Sequence, residues 1–215
     1  MRVRILLLTI IMATSLVGCR MWGVRGNGNV NEEVRKVSNF NKIYVGGAFS
    51  VKIKIADKYS LKISAEENLL GLIRTRVRGD ILDIDTKKTL SPRKEVSIYI
   101  TTPDLKYVNS SGANNVYAEG INSEYFEVNL SGAGNIDLTG KTKKFKAVIS
   151  GAGSLDAKNL KSEETKVKVS GAANADVFAS KNIDAEVSGV GSIDYFGKPE
   201  KVRTNVSGVG SINQK

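Results

Sequence analysis

A seven-residue phrase recurs through the second half of this chain at a nearly constant step. Ser131-Gly132-Ala133-Gly134-Asn135-Ile136-Asp137 returns as Ser150-Gly151-Ala152-Gly153-Ser154-Leu155-Asp156, as Ser170-Gly171-Ala172-Ala173-Asn174-Ala175-Asp176 and as Ser188-Gly189-Val190-Gly191-Ser192-Ile193-Asp194. Weaker copies begin at Ser111 and Ser207, so successive serines stand 20, 19, 20, 18 and 19 residues apart. A step of this size marks stacked units, none of which buries its own apolar face without a neighbour.

Each phrase follows an apolar/polar alternation of period two. Phe126, Val128 and Leu130 precede one copy, Val167 and Val169 another, Val202 and Val206 the last. Residues between them, such as Glu127, Lys168 and Arg203, are therefore expected to face water. A second short strand follows the glycines, as in Ile136-Asp137-Leu138. Two strands and a glycine bend in about 19 residues leave no room for a crossover helix. The spacing predicts an all-β fold: a right-handed parallel β-solenoid of six recognisable coils, each about 4.8 Å above the last. Like residues then stack as columns. Asn and Ser side chains are expected to hydrogen-bond along theirs, and glycine is expected to supply corner dihedrals that other residues resist.

The N-terminus carries a different signal. Arg2 and Arg4 precede an apolar run from Ile5 to Val17, too short to span a bilayer comfortably and typical of a secretory signal peptide. It ends in Leu16-Val17-Gly18-Cys19, which resembles a bacterial lipobox, and Cys19 is the single cysteine. Residues 1–18 are thus read as a lipoprotein signal peptide and Cys19 as the lipidation site. Residues 19–36 are read as the lipidated cysteine and a tether, and 37–215 as one domain with its repeats over 111–215. Several acyl chains on one residue anchor a protein stably where a single chain is marginal.

Residues 37–110 read as a β-rich half that caps one end of the stack, with strands near 42–45, 49–55, 61–65, 77, 81–84 and 96–101. One helical turn is expected within 66–73 and a loop over 86–94. Arg78-Gly79-Asp80 spells an integrin tripeptide but sits where a hairpin needs its turn.

Composition removes whole classes of chemistry. With no histidine and one cysteine, Ser-His-Asp and Cys-His catalysis, histidine-bearing zinc sites and thiolate clusters are all excluded. No disulfide forms within the chain. The formal charge of +10 falls to +8 once residues 1–18 are removed. The basic residues are spread among acids without interleaved aromatics, which points away from nucleic acid and toward anionic glycans or lipid headgroups.

Phe40, Ile43, Val45, Gly47, Phe49, Val51 and Ile53 at alternate spacing, the Ala65-Glu66-Glu67-Asn68-Leu69-Leu70 segment, Thr101, Pro103 and Leu105, and the repeated Ser-Gly-Ala-Gly together resemble a bacterial family. That family is described as "putative auto-transporter adhesin, head GIN domain", and the likeness runs from about residue 37 to 215. The resemblance implies a secreted or lipid-anchored β-helix protein of Bacteroides-like bacteria and supplies no catalytic residues. Asn114 and Ala173 depart from the repeat where others have glycine, and Tyr117 where others have aspartate.

The functional expectation is a non-enzymatic envelope protein that acts in adhesion or scaffolding. It needs no cofactor, and its partners are a membrane reached through the lipid, a glycan or envelope protein, or a second copy. The lack of acids after Cys19 favours the periplasmic face of the outer membrane over the cell surface. Asp137, Asp156, Asp176 and Asp194 form the candidate ligand column, outward-facing and one per coil. Adjacent carboxylates about 5 Å apart match the separation in retaining glycosidases, which makes a polysaccharide-cleaving β-helix the alternative. The same column could attract Ca²⁺, although Lys141, Lys143, Lys158 and Lys181 stand near enough to neutralise it.

Overall fold

The computed structural model describes residues 23–215; the expected signal peptide and the expected lipidation site Cys19 lie outside the described residues. Eighteen strands and one helical turn follow in order: β1 (Val24–Arg25), β2 (Val30–Arg35), β3 (Lys42–Gly47), β4 (Ser50–Ile55), β5 (Ser60–Glu66), α1 (Glu67–Leu70), β6 (Ile73–Arg78), β7 (Ile81–Thr86), β8 (Leu90–Ser91), β9 (Ser97–Thr102), β10 (Tyr107–Gly112), β11 (Asn115–Leu130), β12 (Asn135–Ile149), β13 (Ser154–Val169), β14 (Asn174–Phe178), β15 (Asn182–Val187), β16 (Val190–Phe196), β17 (Lys201–Val206) and β18 (Val209–Gln214). They wind into a β-solenoid of parallel stacked strands.

Two faces run the length of the stack. On the first, β7, β3, β10, the C-terminal parts of β11, β12 and β13, then β15 and β17 pair in parallel. On the second, β9, β4, the N-terminal parts of β11, β12 and β13, then β14, β16 and β18 do the same. The phrase Ser-Gly-Ala-Gly is the bend between the faces. In β11, β12 and β13 a third stretch of pairing, Ile121↔Gly140↔Leu160, closes each coil, so these coils hold more strand than the two segments expected.

The repeat glycines have a reason other than the expected corner dihedrals. Of those in the six phrases only Gly112 has positive φ, at +94°. The rest lie directly over the backbone of the coil before. A Cβ on Gly132 would stand 1.8 Å from the Gly112 carbonyl oxygen, one on Gly151 1.8 Å from that of Gly132, and one on Gly153 2.0 Å from that of Gly134. Main-chain hydrogen bonds continue through the bend, with the Ala133 amide donating to Gly112 at 2.8 Å and Ala152 to Gly132 at 3.1 Å. Glycine is therefore required by close approach. Asn114 departs from this pattern because its buried side chain plugs the bend: Oδ1 accepts from the Phe49 amide at 3.0 Å and Nδ2 donates to the Ser111 carbonyl at 2.8 Å.

Inward residues form continuous apolar columns. Leu130, Ile149, Val169 and Val187 stack in register, as do Ile136, Leu155, Ala175 and Ile193, and the Phe126 and Phe145 rings lie parallel 6.1 Å apart. Outward, neighbouring coils are joined by Lys143–Glu124, Lys146–Glu127, Lys166–Asp184, Lys168–Glu186 and Lys181–Glu163 pairs at 2.7–3.2 Å. Each exposed pair adds at most about 1 kcal/mol.

The first half continues the solenoid as well as capping it. Gly46 and Gly47 lie in register with Ser111 and Gly112, so Gly46-Gly47-Ala48 is a seventh, disguised copy of the bend. Below it β7 and β9 extend the two faces. Antiparallel β6 covers β7, β5 covers β9, and β2 lies outside β5. Residues 24–25 and 30–35, expected as part of a tether, are thus strands. Val30 and Val34 on β2 stay exposed, so this edge strand is held by main-chain pairing and by Arg35, whose guanidinium donates to the Leu70 and Ile73 carbonyls at 2.9 and 2.7 Å. Arg78-Gly79-Asp80 is the β6–β7 turn, with Gly79 at φ +59°.

Glu66 fastens this cap. Its buried carboxylate accepts the amides of Gly28 at 2.6 Å and Arg93 at 2.8 Å. Burial pushes its pKa up, but the backbone donors outweigh that and hold it below 4.5. A depressed carboxylate stabilises the fold above its unfolded pKa, and that contribution is lost as pH falls through the lower folded value. Two outcomes follow. In Glu66→Gln, hydrogen exchange at the Gly28 and Arg93 amides accelerates at neutral pH and the acid-dependent part of cap stability shrinks. Gly151→Ala lowers urea stability by about 1–3 kcal/mol, whereas Ala152→Thr, at an exposed position beside it, stays within about 0.5 kcal/mol.

Candidate functional site

The four aspartates singled out in the sequence form one column on the second face. Asp137, Asp156, Asp176 and Asp194 are consecutive partners in the parallel register. Strand alternation turns them outward while Ile136, Leu155, Ala175 and Ile193 turn in. Beside them runs the polar column. Asn135 Nδ2 donates to Asn115 Oδ1 at 3.1 Å, Ser154 Oγ to Asn135 Oδ1 at 2.7 Å, and Ser192 Oγ to Asn174 Oδ1 at 3.0 Å.

Four like charges at one-strand spacing repel, and the structure offsets this unevenly. Lys158 Nζ donates to Asp156, and Lys215 pairs with Asp194 at 3.2 Å. Lys143 and Lys181 pair instead with Glu124 and Glu163, and Lys141 has no ion-pair partner among the described residues. Asp137 and Asp176 carry the residual strain. Burial, and next the Asp156 charge, raise both pKa values above 3.8, with Lys158 opposing. Among the described residues, no group of three or more His, Cys, Asp or Glu is placed to hold a metal ion.

Toward the N-terminal end the column changes character. Tyr117 takes the next position after Asp137, followed by Lys52, Tyr99 and Lys62. The two lysines flank the Tyr99 ring, their Nζ atoms 5.5 and 4.9 Å from its centre. Sequence reading could not place Lys52, Tyr99 and Lys62 beside the aspartates, because they come from strands outside the visible repeat.

The first face carries a second set that the sequence did not single out. Tyr44 and Tyr107 rings lie 5.4 Å apart, and Asn129 Nδ2 donates to the Tyr107 hydroxyl. Tyr125 donates to Glu127 at 2.6 Å. Its pKa is pushed up to about 12 by burial and by that bond. A groove of about 490 Å³ beside Tyr125 runs past Lys144, Glu164, Lys166, Asp184 and Arg203. Among the described residues, polar groups recur from coil to coil along both faces.

This architecture defines a class: a parallel β-solenoid that presents ordered columns of side chains on long faces. The chain belongs to the family described as "putative auto-transporter adhesin, head GIN domain", which matches residues 39–199. Among solved structures it resembles a protein described as a putative adhesin from Bacteroides fragilis, with 26% identity, a TM-score of 0.76, and coverage of 90% of this chain and 100% of that one. A protein described as a putative lipid binding protein from Parabacteroides distasonis shares the fold at 21% identity and a TM-score of 0.59, covering 89% of this chain and 99% of that one. A putative adhesin from Parabacteroides merdae shares it at 19% identity and 0.55, covering 90% and 99%. No curated protein matches the sequence.

A raised carboxylate pKa means that the charged form weakens the fold, so stability is greatest below the unfolded value and declines as pH rises through the folded one. Asp176→Asn is therefore expected to melt higher than the parent chain at neutral pH. The difference should vanish in acid, where the column is protonated; thermal unfolding at the two pH values measures it.

Proposed function

We propose that this chain is a lipid-anchored protein of the cell envelope that binds a glycan or another envelope protein through its solenoid faces, without catalysis. The observation that carries this reading is the distribution of its polar groups. They recur coil after coil along two faces, which suits contact with an extended partner rather than one small substrate. Membership of a family described as adhesins supports the binding role. The lipobox-like Leu16-Val17-Gly18-Cys19 supports acylation at Cys19, and the absence of acids just after it supports the periplasmic side of the outer membrane. Asp137, Asp156, Asp176 and Asp194 are the proposed contact column for cationic or hydroxyl-rich groups of the partner.

Anchoring and binding are tested separately. Cys19→Ala is expected to move the protein from the membrane to the soluble envelope fraction, and unchanged fractionation contradicts the anchor. For binding, the chain from Arg20 onward is incubated with a panel of acidic and neutral glycans while retention and newly released chain ends are both scored. Retention without release is the expected result. Release that disappears in Asp156→Asn or Asp176→Asn would establish the polysaccharide-cleaving alternative instead.

A further inference from the structure

We propose that the capped N-terminal end of the solenoid is a docking surface for an anionic phospholipid bilayer, so that the molecule stands on the membrane by this end with its repeat faces pointing away. This rests on the lipid anchor at Cys19 for the position of the membrane, but the surface itself is argued from the folded residues.

The charge of the described chain is lopsided. Residues 23–106 hold sixteen Lys and Arg against ten Asp and Glu, whereas residues 107–215 hold thirteen against twelve. Pairing sharpens the contrast. In the repeat half the lysines mostly meet acids on the next coil, as described above. Around the point where the chain enters the fold they do not. Val24 and Gly26 donate to the carbonyls of Thr89 and Ser91 at 2.8 and 3.1 Å, and Glu66 draws the Gly28 and Arg93 amides together. Arg25, Lys87, Lys88, Arg93 and Lys94 are brought to this one region, all exposed, and none has an ion-pair partner. Residues 1–22 contain no acid that could supply one. Lys87 donates to the Gly71 carbonyl at 2.8 Å, which neutralises nothing. The acids nearest are buried Glu66, whose charge acts on Arg93, and exposed Glu67 and Glu95, three against five cations.

Distance supplies the second argument. Only three residues separate Cys19 from Gly23, whose neighbour Val24 already pairs with Leu90. Four Cα steps reach at most about 14 Å. An acylated Cys19 thus holds the cationic region within little more than a Debye length, about 10 Å at ordinary salt, of the headgroups. Basic residues that close to an anionic leaflet are attracted individually and additively.

The test uses the chain from Arg20 onward, which lacks the anchor but keeps the whole core from Phe40 to Ile212. It is sedimented with phosphatidylcholine vesicles containing or lacking phosphatidylglycerol. Binding is expected only with phosphatidylglycerol, weakening as salt rises. Combined Lys87→Glu, Lys88→Glu, Arg93→Glu and Lys94→Glu is expected to weaken it by about tenfold or more, with the circular dichroism spectrum of the parent chain retained. The corresponding glutamine substitutions should act in the same direction by less. Reversing Lys141, Lys161, Lys198 and Lys201, exposed and unpaired in the repeat half, makes the same change in net charge and should leave binding nearly intact. Equal loss in both sets, or binding indifferent to phosphatidylglycerol, overturns the docking surface. Neither result touches the anchor, which stands or falls on the Cys19→Ala fractionation.

Discussion

Backbone lying on backbone at the bend is the contact on which the rest of this structure depends. Each glycine of the repeated phrase sits against a carbonyl of the previous coil at a distance no Cβ tolerates, while the adjacent amides carry the parallel hydrogen bonds around the corner. Because the corner occupies no more than strand spacing, both faces keep the same rise and their inward residues meet in columns. A bulky corner would splay the coils and open those columns to water. The apolar core, the Asn/Ser ladder and the interstrand ion pairs all follow from a pitch that the glycines make attainable.

A stack of this kind has two ends, and they are treated differently. At the N-terminal end the chain doubles back, lays antiparallel strands under the parallel ones and ties them with Glu66 and Arg35, so the main-chain groups of β7 and β9 are covered. At the other end Val202, Val206 and Val209 remain 44–79% exposed and β17 is exposed along its length. The capped end also gathers five exposed cations without ion-pair partners among the described residues, Arg25, Lys87, Lys88, Arg93 and Lys94. In the proposed membrane docking this end would be the base, with the nearly charge-balanced coils beyond it left free for contact.

Much of this was legible in the sequence, for identifiable reasons. The period of the Ser-Gly phrase gave the solenoid, and the alternation of Phe126, Val128 and Leu130 gave the faces, because a stacked fold forces repetition into the sequence. What escaped is what does not repeat. Gly46-Gly47-Ala48 is a bend without its serine, and β2 is an edge strand with Val30 and Val34 in water, so neither announces itself. The aspartate column was readable, but its continuation into Tyr117, Lys52, Tyr99 and Lys62 depends on β4, β5 and β9 being threaded beneath the repeats. Most of the repeat glycines are needed for room rather than for dihedral freedom, and a sequence does not display what lies one coil away.

Stability in such a stack passes from coil to coil, from the capped end toward the open one, and native-state hydrogen exchange measures this directly. Ladder amides of β11, β12 and β13 should exchange slowest, those of β14 and β15 faster, and those of β17 and β18 fastest of the ladder, as expected when each coil is held by its neighbours. A common rate for all ladder amides, or greatest protection in β17 and β18, would contradict it.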